Sequence, residues 1–448
     1  MSELFIPVDT TFKNNPESAN SGYVEHSGNS HIHKILNILH ETLSRSNQLE
    51  LSFLEHQAEI LKVIATETGL AEQRTHILTP ATPIITRTQL AEFGSGSIAK
   101  CFGPEFEILD KRRSPRIPNG DLLLIDRVMM IDGERGNLNP PAAITSEYDI
   151  TPDIWFISDN SYSGIPLAVI MEIALQPCGI LSAYLGSSLM LPAEVNIFRN
   201  LDGNISFISC PDLRGKTVVN HSRLLSSISG AGMMIQEYAF ELAVEGQTFL
   251  TGKSSFGYFT QVVMEKQTGL DIDESRPASP GDRLLDEEYR PLEFHRPISG
   301  NGSHLNLIDK LFYKEDGGRY GCGIIIGEKQ LSGEEWFYAS HFFQDPVMPG
   351  SLGIEAIIQA MWAFTQYCQP EMVFQYPVVD FSNNDPLVWK YRGQVKPDNQ
   401  RIYFEVHLKN QITADTTIQL AGDADFWVDG MRIYAIKNIS LMSKKGFA

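Results

Sequence analysis

The stretch Trp336–Phe364, WFYASHFFQDPVMPGSLGIEAIIQAMWAF, decides how the rest of the chain is read. It sets one histidine, His341, ahead of Pro349-Gly350, a pair that reads as a turn opening a helix. Leu352, Ile357, Ile358, Met361, Trp362 and Phe364 fall on several faces of that helix, so it belongs inside a core. Glu355 lies near its start, and a carboxyl group in such surroundings is costly unless it has a partner or a task.

The chain says much of this twice. Upstream, Trp155–Leu185 reads WFISDNSYSGIPLAVIMEIALQPCGILSAYL. Pro166, Glu172 and Gln176 stand at one constant offset from Pro349, Glu355 and Gln359, and Ile125-Asp126 stands at that offset from Ile308-Asp309. Downstream, LRGKTVV around Arg214-Gly215 matches YRGQVKP around Arg392-Gly393. Matches in the same order mark a tandem duplication, and a repeat of about domain length excludes a solenoid. Where the second copy has His341, the first offers Asp159 and Asn160.

Composition sets the bounds. A length of 448 residues suggests roughly three domains, which two repeats and an N-terminal extension supply. Hydrophobic content of 42% with 20% charged residues is that of an ordinary globular protein with material for cores. No run approaches the roughly 18 uncharged apolar residues of a membrane span, and MSELFIPVDTTFKNN lacks the layout of a signal peptide. Cys101, Cys178, Cys210, Cys322 and Cys368 have no paired spacing, so neither a metal site nor a disulfide framework is expected, and the cytoplasm is the expected compartment. A net charge of −19 argues against nucleic acid. An acidic protein partner would need a local basic patch; Lys111-Arg112-Arg113 with Arg116 is either that or a solvated loop.

Residues 1–30 are polar and expected to be disordered. Over 31–67 apolar residues recur at helical spacing, which predicts amphipathic helices that need an apolar partner, either the body of the protein or a second copy in a homodimer. Residues 68–98, with Pro80, Pro83 and a Gly-Ser run, read as a linker. The first repeat follows over 99–264, an acidic connector over 265–290 and the second repeat over 291–446. Each repeat is a long apolar helix followed by strand-like segments such as SRLLSSISGAGMMIQEYAF and RIYFEVHLKN. The class is α+β, each unit an antiparallel sheet wrapped around one helix.

At HFFQDPVMPGSLGIEAIIQ the chain resembles the active-site segment of FabA-like 3-hydroxyacyl-acyl-carrier-protein dehydratases, which have the hot-dog fold. With CFGPEFEILD at its entrance and FRNLDG, LRGKT and WKYRGQ inside, the repeat pair is similar to the second dehydratase region of bacterial polyunsaturated-fatty-acid synthases. The resemblance implies a double hot-dog, an internal pseudo-dimer with sites between the units. It implies that His341 is the base and that Gly350 offers the backbone N–H facing the substrate carbonyl. It also implies that Glu172, from the other unit, completes the site. Glu355 would then face a vestigial half-site, with Gln176 and Gln359 either orienting the acids or bonding the sheet. The implied partner is an acyl carrier protein, whose phosphopantetheine arm brings a 3-hydroxyacyl substrate, alongside other synthase domains. No cofactor of the enzyme's own is implied.

Loss of water from such a thioester needs a base for the C2 proton, an acid for the leaving hydroxyl and stabilisation of the carbonyl oxygen. Histidine suits the first role. A carboxyl among Ile170, Met171 and Ile173 is expected to favour its neutral form and so suits the second. Ser351 reads as a helix cap and Asp345 as a turn-fixing or ordinary loop acid. Two other readings stand beside dehydration: a hot-dog thioesterase, and a non-catalytic acyl-binding subunit of a megasynthase. Isomerisation of the new double bond would be an added activity set by pocket shape.

Overall fold

The computed structural model describes residues 82–160, 164–230, 232–271, 279–285, 288–293, 304–368, 374–379, 385–414 and 417–445, all within the compact unit Ile77–Ala448. The readings for 1–30 and 31–67, and the homodimer they raise, lie outside the described residues.

Among the described residues, fifteen strands form one sheet. In the first half these are β1 (Ile85–Thr86), β2 (Arg127–Asp132), β3 (Ala142–Asp149), β4 (Val195–Phe207), β5 (Thr217–Gly230), β6 (Met233–Val244) and β7 (Gln247–Thr260). In the second they are β8 (Arg290–Leu292), β9 (Lys310–Lys314), β10 (Ile324–Gln330), β11 (Phe374–Val379), β12 (Leu387–Tyr391), β13 (Arg401–Ala414), β14 (Thr417–Val428) and β15 (Met431–Lys445). The order runs β1-β2-β3-β5-β6-β7-β4 and continues β12-β15-β14-β13-β10-β9-β8, with β11 pairing β15 off this path. Read backwards, the second half repeats the first strand for strand, so the duplication is a pseudo-twofold: two hot-dog units joined by equivalent strands.

Strict alternation of burial along β3 shows why these segments are strands: one face meets a helix and the other faces away. The first core helix, Leu167–Tyr184, and the second, Gly350–Cys368, lie within the sheet's two curls. By length and apolar content the first could cross a membrane, yet 78% of it is buried here. Its composition is that of a core helix: nearly every side chain, Glu172 included, meets protein.

The seam between the units is the antiparallel pair β4–β12, with Trp389 opposite Gly203 and Lys390 opposite Asp202. Here FRNLDG and WKYRGQ meet. Trp389 Nε1 donates to Asn200 Oδ1 at 2.8 Å, Arg392 Nη2 to Asp202 Oδ2 at 2.9 Å, and Arg199 Nε to Gln394 Oε1 at 3.0 Å. Gly203 is glycine because a Cβ there would lie 2.2 Å from the buried Trp389 ring.

The end of the segment expected to be a linker is folded. Thr86 and Gln89 form a capping box on the helix Arg87–Ser95, which buries Leu90 and Phe93. The Gly-Ser run joins two helices: the Gly96 N–H closes the first on Glu92 O, and Ser97 Oγ caps the next at Lys100 N. Gly and Ser serve helix ends as readily as flexible chain, which is why the run misleads.

Candidate active site

A cavity of about 120 Å³ lies at the seam, lined by Glu172, Gln176 and Arg199 from the first unit and by His341, Gly350, Ser351 and Tyr391 from the second. His341 follows the short helix Trp336–Ser340, whose Phe337 carbonyl accepts its backbone N–H at 2.8 Å. The chain then turns back, with the Val347 N–H donating to His341 O at 2.7 Å. His341 Nδ1 lies 2.9 Å from Val347 O. A carbonyl can only accept, so Nδ1 carries the proton and Nε2 is left with its lone pair. Burial lowers the imidazole to about 3, Arg199 adds to that, and the Val347 bond opposes it. The ring is therefore neutral over the ordinary pH range.

Glu172 is buried on the first core helix at 8% exposure. Ser351 Oγ donates to its Oε1 at 2.7 Å and Gln176 Nε2 to its Oε2 at 3.1 Å. Burial raises its pKa above the ordinary carboxyl value, and these two bonds only partly offset the rise. Gln176 also donates to Leu122 O at 2.8 Å and accepts from Leu124 N at 3.1 Å, so it both orients the acid and ties down a neighbouring loop. Ser351 is not the cap read from sequence. The helix begins one residue earlier, at Gly350, and this turns the hydroxyl across the interface onto the opposite acid.

Gly350 starts the second core helix where Tyr391 leaves no room: a Cβ would lie 2.7 Å from its ring. The first N–H groups of a helix have no intrahelical partner and point along the positive end of its dipole. Asp345 is no ordinary loop acid. It accepts both Arg199 guanidinium nitrogens, at 2.7 and 2.9 Å, and pairs with Arg113 at 2.7 Å. Burial would raise its pKa, but Arg199 and then Arg113 hold it below the usual range. The histidine loop is thus pinned to the other unit.

The second acid, Glu355, is fully buried, and its Oε2 accepts from Ala168 N at 3.2 Å. Ala168 occupies in the first unit the place of Ser351, so each acid reaches the start of the opposite helix. Gln359 Nε2 donates to Leu305 O at 3.0 Å, the counterpart of the Gln176–Leu122 bond. At the place of His341, Asp159 Oδ2 lies 2.6 Å from His304 Nδ1, and Asn160 Nδ2 donates to Gly164 O at 2.7 Å. His304 packs between Trp155 and Trp336, with ring centroids 4.6 and 4.5 Å away. This half has an acid but an aspartate in the histidine's place.

The candidate basic patch is largely consumed by the fold. Arg112 donates to Ser188 O at 2.8 Å, Arg113 pairs with Asp345, and Arg116 donates to Phe93 O and Gly96 O. Away from the cavity, Glu405, His407 and Asp425 have ligand atoms within 4.8 Å of one another. Arg283 pairs with Glu405, Arg319 and Arg432 with Asp425, and the Arg319 N–H donates to His407 Nδ1 at 3.2 Å. Guanidinium groups neutralise these acids, so the cluster is a buried ionic network stitching loops to the outer face of the sheet.

Sequence reasoning did not single out Arg199 or Tyr391. Arg199 lies inside FRNLDG and Tyr391 inside WKYRGQ, but a lone arginine or tyrosine in a strand pattern shows no partner until the strands are paired.

Residues 301–437 match the family model described as the FabA-like domain. A component of the polyunsaturated fatty acid synthase of Thraustochytrium sp. is 31% identical over 397 residues, covering 82% of this chain and 26% of that protein. The chain thus spans about a quarter of the length of this curated relative. Among solved structures, a trans-AT PKS dehydratase domain from Brevibacillus brevis is 12% identical, covering 72% of this chain and 98% of its own, with a TM-score of 0.37. An oleoyl thioesterase homologue from Lactobacillus plantarum is 11% identical, covering 69% and 99%, with a TM-score of 0.38.

Proposed function

We propose that the chain removes water from 3-hydroxyacyl thioesters at one site, with His341 as base and Glu172 as acid. The observation that carries this reading is that both line one cavity, each from a different unit, where burial favours the uncharged form of each. His341 Nε2 takes the C2 proton, and the electron pair of that bond moves toward C1, placing negative charge on the thioester oxygen. The Gly350 N–H meets that charge. Glu172 then gives its proton to the C3 oxygen as the C3–O bond breaks, the C2=C3 bond forms and water leaves. Proton return from the imidazolium to the carboxylate restores both groups. Burial makes His341 a weak base on its own, but the charge developing on the substrate stabilises the imidazolium as it forms.

The family resemblance supports an acyl carrier protein as the bearer of the substrate and a place in fatty-acid or polyketide-like synthesis. The test is turnover of a 3-hydroxyacyl carrier-protein thioester followed by intact mass. Loss of water supports the reading, release of free acid supports the thioesterase alternative, and an unchanged bound thioester supports an acyl-binding role. Ultraviolet absorbance of the product separates the conjugated 2-enoyl thioester from an isomerised 3-enoyl one.

A further inference from the structure

Tyr391 closes β12 on the seam, and its hydroxyl is buried without a hydrogen-bond partner among the described residues, in the wall of the cavity that His341, Glu172 and Gly350 line. Buried polar groups are nearly always paired, because an unpaired one has given up its water for nothing in return. Phenylalanine would fill the same volume without that cost. The hydroxyl therefore calls for a partner that arrives with the ligand.

Its position says which part of the ligand. Tyr391 Oη is 3.0 Å from the point that a Cβ on Gly350 would occupy, so it stands beside the opening residue of the second core helix. Tyr434 holds the ring from one side, with centroids 4.4 Å apart. Glu172, the acid assigned to the C3 oxygen, already has donors on both of its own oxygens.

We propose that Tyr391 Oη is a catalytic residue that donates a second hydrogen bond, beside the Gly350 N–H, to the thioester carbonyl oxygen. As the C2 proton passes to His341, the negative charge on that oxygen is shared between the two donors, and Tyr391 keeps its proton throughout. Burial first, then Tyr434 and Glu172, hold the phenol well above its ordinary value of 10, so it serves as donor and not as base. The inference rests on the dehydratase reading above.

The test compares the full chain with Tyr391→Phe on a 3-hydroxyacyl N-acetylcysteamine thioester. The expected result is a fall in kcat of about a hundredfold with little change in KM, the signature of a donor used in the transition state. The melting temperature should equal or exceed that of wild type, because the unpaired hydroxyl is gone. As a second readout, infrared difference spectra of bound 2-enoyl N-acetylcysteamine thioester should show a lower carbonyl stretch in wild type than in the variant. An unchanged kcat with an unchanged carbonyl frequency overturns the role of Tyr391. An inactive wild type overturns the dehydratase reading instead, and the carbonyl frequency then decides for Tyr391 by itself.

Discussion

Ser351 Oγ donates to Glu172 Oε1 at 2.7 Å across 179 residues of sequence, binding the start of one core helix to the acid of the other. The histidine-bearing unit thereby sets the electrostatics of an acid it does not contain. Its counterpart has no hydroxyl: Ala168 meets Glu355 through backbone N–H. Duplication kept the geometry of both contacts and let their chemistry diverge.

Removing that hydroxyl should retune the acid. In Ser351→Ala the carboxylate loses a donor that lowers its pKa, so the pKa rises further. The proposed mechanism needs Glu172 protonated, so the high-pH limb of kcat/KM should move upward. The plateau should fall severalfold because the acid is less firmly oriented. A pH–rate profile of the variant checks both, and a limb that moves downward would mean Ser351 does not act on Glu172.

Stability should depend on pH through two groups of opposite sign. Glu172 has a raised folded pKa, so between its unfolded value near 4.5 and that folded value the native state binds the extra proton. Stability then falls as pH rises through this window. Glu172→Gln should remove the loss, gaining on wild type in urea midpoint as pH goes from 5 to 8. His341 has a depressed pKa of about 3 against 6.5, so the native state lacks a proton that the unfolded chain binds. Stability is lost as pH falls below 6.5, and His341→Asn should be relatively more resistant at pH 4, by an amount on the order of a few kcal/mol. Parallel urea curves for each variant and wild type at every pH would contradict this.

The seam should be intolerant of volume. A Cβ in Gly203→Ala would sit 2.2–2.7 Å from three atoms of the Trp389 ring, which is itself fully buried. Overpacking of this kind costs about 1–3 kcal/mol. Because the site is shared between the units that β4 and β12 join, activity should fall with stability. Thermal melting and turnover measured together check the link; a destabilised variant with full kcat would uncouple seam from site.

Much of this was legible in sequence because it is written twice. A constant offset made His341 stand out by its absence from the first copy, and it identified Glu172 and Glu355 as equivalents. The apolar surroundings of both helices gave the wrapped-helix units. Pairings between distant strands were not legible. Nothing local in Arg199 indicates Asp345, and nothing in Ser351 distinguishes a cap from a donor to another unit. Lys111-Arg112-Arg113 read as either a surface for an acidic partner or a solvated loop, because side chains that fold back onto carbonyls and carboxylates read the same in sequence as exposed ones. The Gly-Ser run before Ile98 misled for a similar reason, since capping and flexibility draw on the same residues.

One comparison tests the single cross-unit site most directly: turnover of a 3-hydroxyacyl thioester by wild type, His341→Ala, Glu172→Gln and Glu355→Gln, with folding checked by melting. The first two changes should each lower kcat by at least about a hundredfold, because the proposed mechanism draws its base and its acid from one site. Glu355→Gln, which keeps an oxygen to accept the Ala168 N–H, should retain most of the wild-type rate. Loss of activity in Glu355→Gln with full activity in Glu172→Gln would contradict the pairing of His341 with the acid of the other unit.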